Sequence, residues 1–173
     1  IKSYAVRAGR RNVFALKVET DEGYYGWGEA GVAGRELAVQ GAVSHFRQFL
    51  LGRDPRRIGA LWQEMYRSQY LEGGRILTGA ISAIDIALHD LVAKSLGVPV
   101  YQLLGGAHRD HVPCFNTSAA RMGPEAIDDT RRLISDGWRV IRFRPDHPSA
   151  GGLNNRDETL FEPRESIALT AEW

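Results

Sequence analysis

The stretch from Ile76 to Leu96 constrains this chain most, because it is apolar on nearly every side of a helix. A helix of that kind cannot lie on a surface and is expected at the buried centre of a bundle. Gly97 and Pro99 end it. No apolar run is expected to span a bilayer, which takes roughly 18–20 apolar residues, because Asp85, His89, Asp90 and Lys94 interrupt this one. His89 is read as a hydrogen-bonded residue of the bundle. Two shorter amphipathic helices supply neighbours. Val39, Ala42, Val43, Phe46, Phe49 and Leu50 recur at helical spacing, with Gly52 at the end of the run. Asp54-Pro55 reads as an N-cap with Pro in the first turn, opening a helix with Ile58, Leu61, Trp62, Met65 and Tyr66 on one stripe. Tyr101 to Leu104 forms a short turn before Gly105-Gly106.

The first thirty or so residues read as three strands. Tyr4 to Ala8 and Val13 to Val18 are followed by Asp21-Glu22-Gly23, a turn in which Gly supplies a positive φ. Tyr24 to Glu29 returns as the hairpin partner, giving an antiparallel meander. Gly26-Trp27-Gly28-Glu29-Ala30-Gly31 satisfies G-x-G-x-x-G, yet its strand is the return arm of a hairpin rather than the first strand of a βαβ unit. The glycines are expected to permit a close approach at a strand end, not to bind a dinucleotide.

After Gly106 the rhythm changes. Val112 to Thr117 reads as a strand, Pro124 to Ser135 as a helix with Ile127, Leu133 and Ile134 inward, and Val140 to Arg144 as a second strand. Strand, helix, strand is a right-handed parallel βαβ unit, with the period of roughly 30 residues found in eight-fold β/α barrels. Residues 148–159 read as a loop and 163–173 as the start of another helix. The roughly 67 residues after Gly106 fall far short of the about 250 that a full barrel takes. The expected fold is therefore an α+β domain over residues 1–106, a three-stranded meander plus a helical bundle. Residues 107–173 are expected to begin an incomplete (β/α)8 barrel. A small α+β domain with an open βαβ appendage is the alternative.

Charge excludes some functions. Lys and Arg number 22 against 21 Asp and Glu, a net charge of +1, so no surplus draws the chain to nucleic acid or an anionic membrane. Cys114 is the single cysteine, which suits a reducing compartment, and it is expected as an inert thiol on a buried strand. Ile1-Lys2-Ser3-Tyr4 has no apolar core of a secretion signal, so a cytoplasmic protein is expected. His108-Arg109-Asp110-His111 has ligand-type residues at a spacing that suits no single face, and reads as a solvated connector. Arg10-Arg11 and Arg131-Arg132 read as solvated. Asn116-Thr117-Ser118 matches a glycosylation sequon without meaning in a cytoplasmic protein.

Arg142 and Arg144 stand apart. Side chains alternate along a strand, so Ile141 and Phe143 face the helices while Val140, Arg142 and Arg144 face the barrel interior. Two buried guanidinium groups need anionic partners, either protein carboxylates or an anionic substrate.

The run Ala80-Ile81-Ser82-Ala83-Ile84-Asp85-Ile86-Ala87-Leu88-His89-Asp90-Leu91-Val92-Ala93-Lys94, followed by Pro99 to Gly106, resembles a signature of the enolase superfamily, in its mandelate racemase/muconate lactonizing group. Gly26-Trp27-Gly28-Glu29-Ala30 is similar to the same group. The resemblance implies an N-terminal capping domain, the first steps of a modified (β/α)8 barrel, and a Mg²⁺-dependent enzyme that removes a proton α to a carboxylate. A divalent cation lowers that barrier by stabilising charge on the carboxylate oxygens. In the group the metal carboxylates come from the third to fifth barrel strands, expected beyond Trp173, so no metal ligand is assigned on this chain. Where racemases of the group carry Lys-x-Lys, this chain reads Arg142-Phe143-Arg144. A guanidinium stays protonated and is a poor base, so Arg144, with Arg142, is expected to anchor or polarise an anionic substrate.

This favours an acid-sugar dehydratase, a hydro-lyase, over a racemase, epimerase or cycloisomerase. Tyr70-Leu71-Glu72-Gly73-Gly74-Arg75-Ile76-Leu77 resembles the capping loop of galactonate dehydratase-like members. The resemblance further implies two substrate-reading loops, Gly31 to Glu36 and Tyr70 to Arg75. Arg35, Tyr70, Arg75 and Asn116 are the substrate-binding candidates it names, and it implies a small sugar-acid substrate and a homo-oligomer. A non-catalytic binding or assembly module remains the alternative from another class.

Overall fold

A computed structural model describes residues 1–9, 11–70, 73–120 and 124–143. The chain divides into two compact units, one from Ile1 to His108 and one from Arg109 onward.

The first unit opens with the expected meander. Strands β1 (Lys2–Ala8), β2 (Arg11–Glu19) and β3 (Tyr25–Ala30) are antiparallel in the order β1-β2-β3. The β2–β3 turn closes with the Thr20 N–H donating to the Tyr24 carbonyl at 2.9 Å and Gly23 at a φ of +86°, a conformation that costs a glycine little. Register places Leu16 opposite Gly28 and Phe14 opposite Ala30. Strict alternation then buries Phe14, Leu16, Val18 and Ala30 on one face. The other face carries the partly exposed Tyr4, Tyr25 and Trp27, with the Lys17 ammonium 4.4 Å from the Tyr25 ring centroid.

Four helices follow. Helix α1 (Glu36–Leu50) buries Val39, Ala42, Val43, Phe46 and Leu50, and Gly52 lies just past its cap at a φ of +76°. Helix α2 (Ile58–Tyr66) begins three residues later than Asp54-Pro55 suggests. Asp54 does not cap it. Its Oδ1 accepts the Arg56 N–H at 3.0 Å and its carbonyl accepts the Arg57 N–H at 3.2 Å, so the segment spends its hydrogen bonds on a turn. Helix α3 (Arg75–Leu96) ends at Gly97, a left-handed cap with φ +67°, and α4 (Val100–Leu103) is a single short turn.

Helix α3 is the centre of this unit, burying Ala80, Ile81, Ala83, Ile84, Ala87, Leu88, Leu91, Val92 and Ala93. As a continuous helix it does have the length and mean hydropathy to cross a membrane, contrary to the expectation from its charged interruptions. Its apolar residues are instead spent on the core shared with the sheet, α1 and α2. The two glycines of β3 let it lie flat on the sheet. A Cβ on Gly26 would fall 2.0 Å from the Ala87 carbonyl oxygen, and one on Gly28 would fall 1.9 Å from that of Ala83. The close approach is thus along the strand rather than at its end.

Asp90 finishes the contact: its Oδ2 accepts the Trp27 N–H of edge strand β3 at 2.8 Å and the Lys94 ammonium at 2.6 Å. An edge strand leaves such donors unpaired, and here the helix supplies the acceptor. His89 Nδ1 lies 2.9 Å from the Asp85 carbonyl oxygen, in line with a hydrogen-bonded bundle residue.

The second unit holds β4 (Asn116–Thr117), α5 (Pro124–Ser135) and β5 (Ile141–Arg142). The two strands pair in parallel, Asn116 with Ile141 and Thr117 with Arg142, as a βαβ unit requires. Several expectations need correction. The first strand is two residues long, and Val112 to Phe115 lie outside it with Val112 71% exposed. Cys114 is exposed rather than buried, because no strand of the described residues pairs with its segment. On α5 the buried apolar residues are Ala126 and Leu133, whereas Ile127 and Ile134 are exposed. The ladder covers only a narrow face of that helix. Arg131 and Arg132 are solvated, as expected, each on an α5 or neighbouring aspartate. Arg10, Arg144, the expected loop over 148–159 and the expected helix over 163–173 lie outside the described residues.

Candidate functional site

Two groups of candidate residues emerge, one in each unit. In the first unit the loop from Gly31 to Arg35 joins β3 to α1, and the loop that includes Tyr70 precedes α3. They lie at one end of the unit. A Cβ on Gly79 would fall 2.7 Å from Val32 Cγ2, so Val32 rests on α3 about one turn past its start at Arg75. Gly73 and Gly74, at φ +129° and +87°, give the second loop the conformation that starts α3.

Arg35, Tyr70 and Arg75 are all exposed there, Tyr70 at 99%. Arg35 Nη1 donates to the Gly34 carbonyl at 2.7 Å, and the Gly34 N–H donates to Glu36 Oε1 at 2.7 Å. Hydrogen bonds from the Glu36 and Gly34 backbone N–H groups, with a further one from Asn12, hold the Glu36 carboxyl below the usual glutamate range. Sequence reasoning marks Glu36 only as the end of a loop and misses this part. A Glu at the first position of a helix, two residues after a Gly, is the only signal that points to it.

A cavity of about 550 Å³ opens at the opposite end of β3, between the β2–β3 turn and the α1–α2 connection. Glu19, Asp21, Glu22, Arg53 and Arg56 are among its lining, and none of Arg35, Tyr70 and Arg75 is. Within the lining Arg56 faces Glu22 at 3.6 Å, while Glu19 and Arg53 pair with residues outside it. Arg53 holds Glu64 at 2.6 Å, and Lys2 and Lys17 each hold Glu19 at 2.7 Å. The Lys17 and Lys2 hydrogen bonds lower the Glu19 carboxyl to about 2.

In the second unit Arg142 is exposed, not buried as alternation within a closed barrel implies. Only two strands of the described residues pair there, and two strands cannot enclose a guanidinium. The group is nonetheless held. Its Nε donates to Thr117 Oγ1 at 3.1 Å, and its carbon lies 5.0 Å from the Phe115 ring centroid. Among the described residues neither terminal nitrogen of the fork has a hydrogen-bond partner, which leaves both for an anion. Asn116 is paired with Ile141 and therefore falls on the opposite face of the ladder from Arg142 and Thr117. The structure brings Arg142 to Thr117 and Phe115, and does not bring it to Asn116.

Just past β4, Ser118 is buried and its Oγ donates to Asp129 Oδ2 at 2.7 Å, which also accepts the Ala119 N–H at 3.1 Å. Asp129 Oδ1 takes Arg132 at 2.6 Å. The Ser118 hydrogen bond, followed by that of Arg132, lowers the Asp129 carboxyl to about 2. Helix α5 is thereby tied to the segment leaving β4. Among the described residues no group of three or more His, Cys, Asp or Glu is placed to hold a metal ion, the segment 108–111 included.

Known proteins resemble the chain at both levels. The N-terminal domain of mandelate racemase/muconate lactonizing enzymes matches residues 5–105. A D-galactonate dehydratase of Variovorax paradoxus is 48% identical over 128 residues, 74% of this chain and 34% of that protein. A D-mannonate dehydratase of Rhizorhabdus wittichii is 41% identical over 164 residues, 92% of this chain and 40% of that one. An enolase from Pantoea ananatis, solved with bound D-gluconate and Mg, superposes with a TM-score of 0.78 at 36% identity, over 83% of this chain and 35% of that one. The chain thus spans 34% to 40% of the length of the two dehydratases. With the meander, the central helix and the glycine contact between them in place, this chain belongs to the mandelate racemase/muconate lactonizing enzyme family of the enolase superfamily, and its first unit has the fold of that family's N-terminal capping domain.

Proposed function

We propose that the protein carrying this chain is an acid-sugar dehydratase. It takes the proton α to the carboxylate of a sugar acid and expels the β-hydroxyl as water, leaving an enol that becomes a 2-keto-3-deoxy acid. What carries the reading is the 48% identity to a D-galactonate dehydratase, joined by the 41% identity to a D-mannonate dehydratase. The second unit, with its parallel βαβ step, is proposed as the opening of the family's barrel, with the boundary near Gly106. A homo-oligomer is proposed on the family resemblance alone.

The residues of this chain have binding parts in the reaction. Arg142, steadied by Thr117 and Phe115, presents the ends of its fork to the substrate carboxylate. Arg144, outside the described residues, is proposed to stand beside it and polarise the same anion. Neither guanidinium serves as the base, because each stays protonated at working pH. Arg35, Tyr70 and Arg75 on the two capping loops are proposed to read the hydroxyl groups, and Asn116 to close the strand end. Mg²⁺ is proposed from the family and from the Mg bound by the Pantoea ananatis enolase. The described donors do not form a site for it, so its ligands are proposed on later barrel strands and no step on this chain passes through it.

The test is to incubate the intact enzyme and Mg²⁺ with D-galactonate, D-mannonate and D-gluconate, following 2-keto acid and water loss. Dehydration of at least one is expected. Epimerisation without water loss would replace the reading by a racemase, and tight binding with no chemistry would replace it by a binding module.

A further inference from the structure

The loop from Gly31 to Arg35 is gripped at both ends. Val32 rests on Gly79 of α3 at one end. At the other, the Gly34 peptide is held from both sides, its N–H by Glu36 Oε1 and its carbonyl by Arg35 Nη1, each at 2.7 Å. Gly34 has a φ of +77°, so the chain reverses there. Arg35 is the residue ahead of α1 and makes no side-chain cap bond of its own. The usual capping residue offers an acceptor oxygen from that position. Here Glu36, the first residue of the helix, reaches back past Arg35 instead. Its carboxylate sits where the helix dipole favours a negative charge. Because Arg35 lies beside the gripped peptide, fixing the loop fixes the origin of its exposed guanidinium.

We propose that Glu36 is a positioning residue: it closes the Gly31–Arg35 loop into one conformation and so sets where Arg35 meets the carboxylate or hydroxyl groups of the substrate. This deepens the acid-sugar reading and rests on it.

Glu36→Ala and Glu36→Gln in the intact protein test it by two measurements. The first is amide exchange in the peptide spanning residues 31–36. Glu36→Ala is expected to speed exchange at Gly34 about tenfold, the scale of one lost hydrogen bond to a charged acceptor. Glu36→Gln, which keeps an acceptor oxygen, is expected to fall between. The second measurement is steady-state kinetics on the best sugar acid. KM should rise about five- to tenfold in Glu36→Ala with kcat within about twofold, the pattern of lost ground-state binding rather than of a damaged fold. Exchange unchanged in Glu36→Ala overturns the proposal, and so does faster exchange with an unchanged KM. If the wild-type protein acts on no sugar acid, the acid-sugar reading fails by itself. The exchange measurement then decides the clamp alone, Ala opening the loop more than Gln upholding it and equal exchange overturning it.

Discussion

Adding a single methyl group at Gly28 probes the contact on which the capping unit is built. In Gly28→Ala the new carbon would lie 1.9 Å from the Ala83 carbonyl oxygen, 2.9 Å from its carbon and 3.0 Å from the Ala87 nitrogen. All three are backbone atoms of α3, so no side-chain rotation relieves the clash. Strand and helix must part by about 1.5 Å to restore an ordinary contact, and a gap of about 0.5–1 Å already forfeits a quarter to a half of the dispersion well. The neighbours that lose contact include Leu16 and Ile84, both fully buried. Overpacking a core costs about 1–3 kcal/mol, and an immovable partner puts this case at the upper end, about 3 kcal/mol. The unfolded chain returns up to about 1 kcal/mol, because Ala has less freedom to lose than Gly. A net loss of about 2 kcal/mol is expected, a large share of the roughly 5–15 kcal/mol by which a domain is stable. Gly41→Ala is the control. Gly41 lies exposed on α1, and a methyl group there would have nothing within 4 Å, so Ala should stabilise by about 0.5–1 kcal/mol. Urea unfolding followed by circular dichroism and by tryptophan fluorescence, to which Trp27 between Gly26 and Gly28 contributes, measures both. Gly28→Ala as stable as the wild type would refute the close-approach argument.

Further outcomes follow from single contacts. Asp90→Ala should cost about 1 kcal/mol in urea unfolding and speed exchange of the Trp27 amide, since an edge donor loses its acceptor; an unchanged Trp27 amide would show that water replaces the carboxylate fully. The Asp129 carboxyl is lowered to about 2 by Ser118 and then Arg132. Its contribution to stability is therefore complete above the ordinary value of 3.8 and is lost as pH falls from there through about 2. Asp129→Asn should flatten the acid limb of the stability profile in that window and leave the slope near neutral pH alone, as read by thermal melts from pH 2 to 7. Cys114, exposed in the folded chain, should react with a thiol reagent as fast without denaturant as with it; slow labelling that urea accelerates would contradict the placement. Arg142→Lys should raise KM for a sugar acid by about tenfold, because the point charge of lysine cannot replace a fork, and a larger fall in kcat than in affinity would point to a role in the chemical step.

Much of the capping unit is legible in the sequence because its signals are local. Val39 to Leu50 at helical spacing, the alternation of Phe14, Leu16 and Val18, and the left-handed glycines at Gly23, Gly52 and Gly97 each state their conformation within a few residues. Sequence reasoning fails where a local signal competes with a neighbour. Asp54-Pro55 has the form of a helix start, yet the Asp54 oxygens find the Arg56 and Arg57 N–H groups and make a turn. Val112 to Phe115 have the composition of a strand, yet no partner strand of the described residues pairs with them, and β-propensity has little force without one. Counting alternation puts Arg142 in an interior, but alternation gives the face of a strand and not what covers it. The candidates Arg35, Tyr70, Arg75 and Asn116 rest on resemblance, and the structure puts the first three on one unit and the last in the other.

The chain alone determined its meander, the existence of α1 to α3 and that the Gly26 and Gly28 pair permits a close approach, because burial patterns and backbone freedom are written residue by residue. Which polar groups would meet was decided only in three dimensions. Asp90 finds the Trp27 N–H across 63 positions, Arg142 finds Thr117 across 25, and Ser118 finds Asp129 across 11. A hydrogen bond needs its atoms within about 3 Å, and only the packing of α3 on β3, the pairing of β5 with β4 and the docking of α5 on the segment leaving β4 bring such distant residues to that distance.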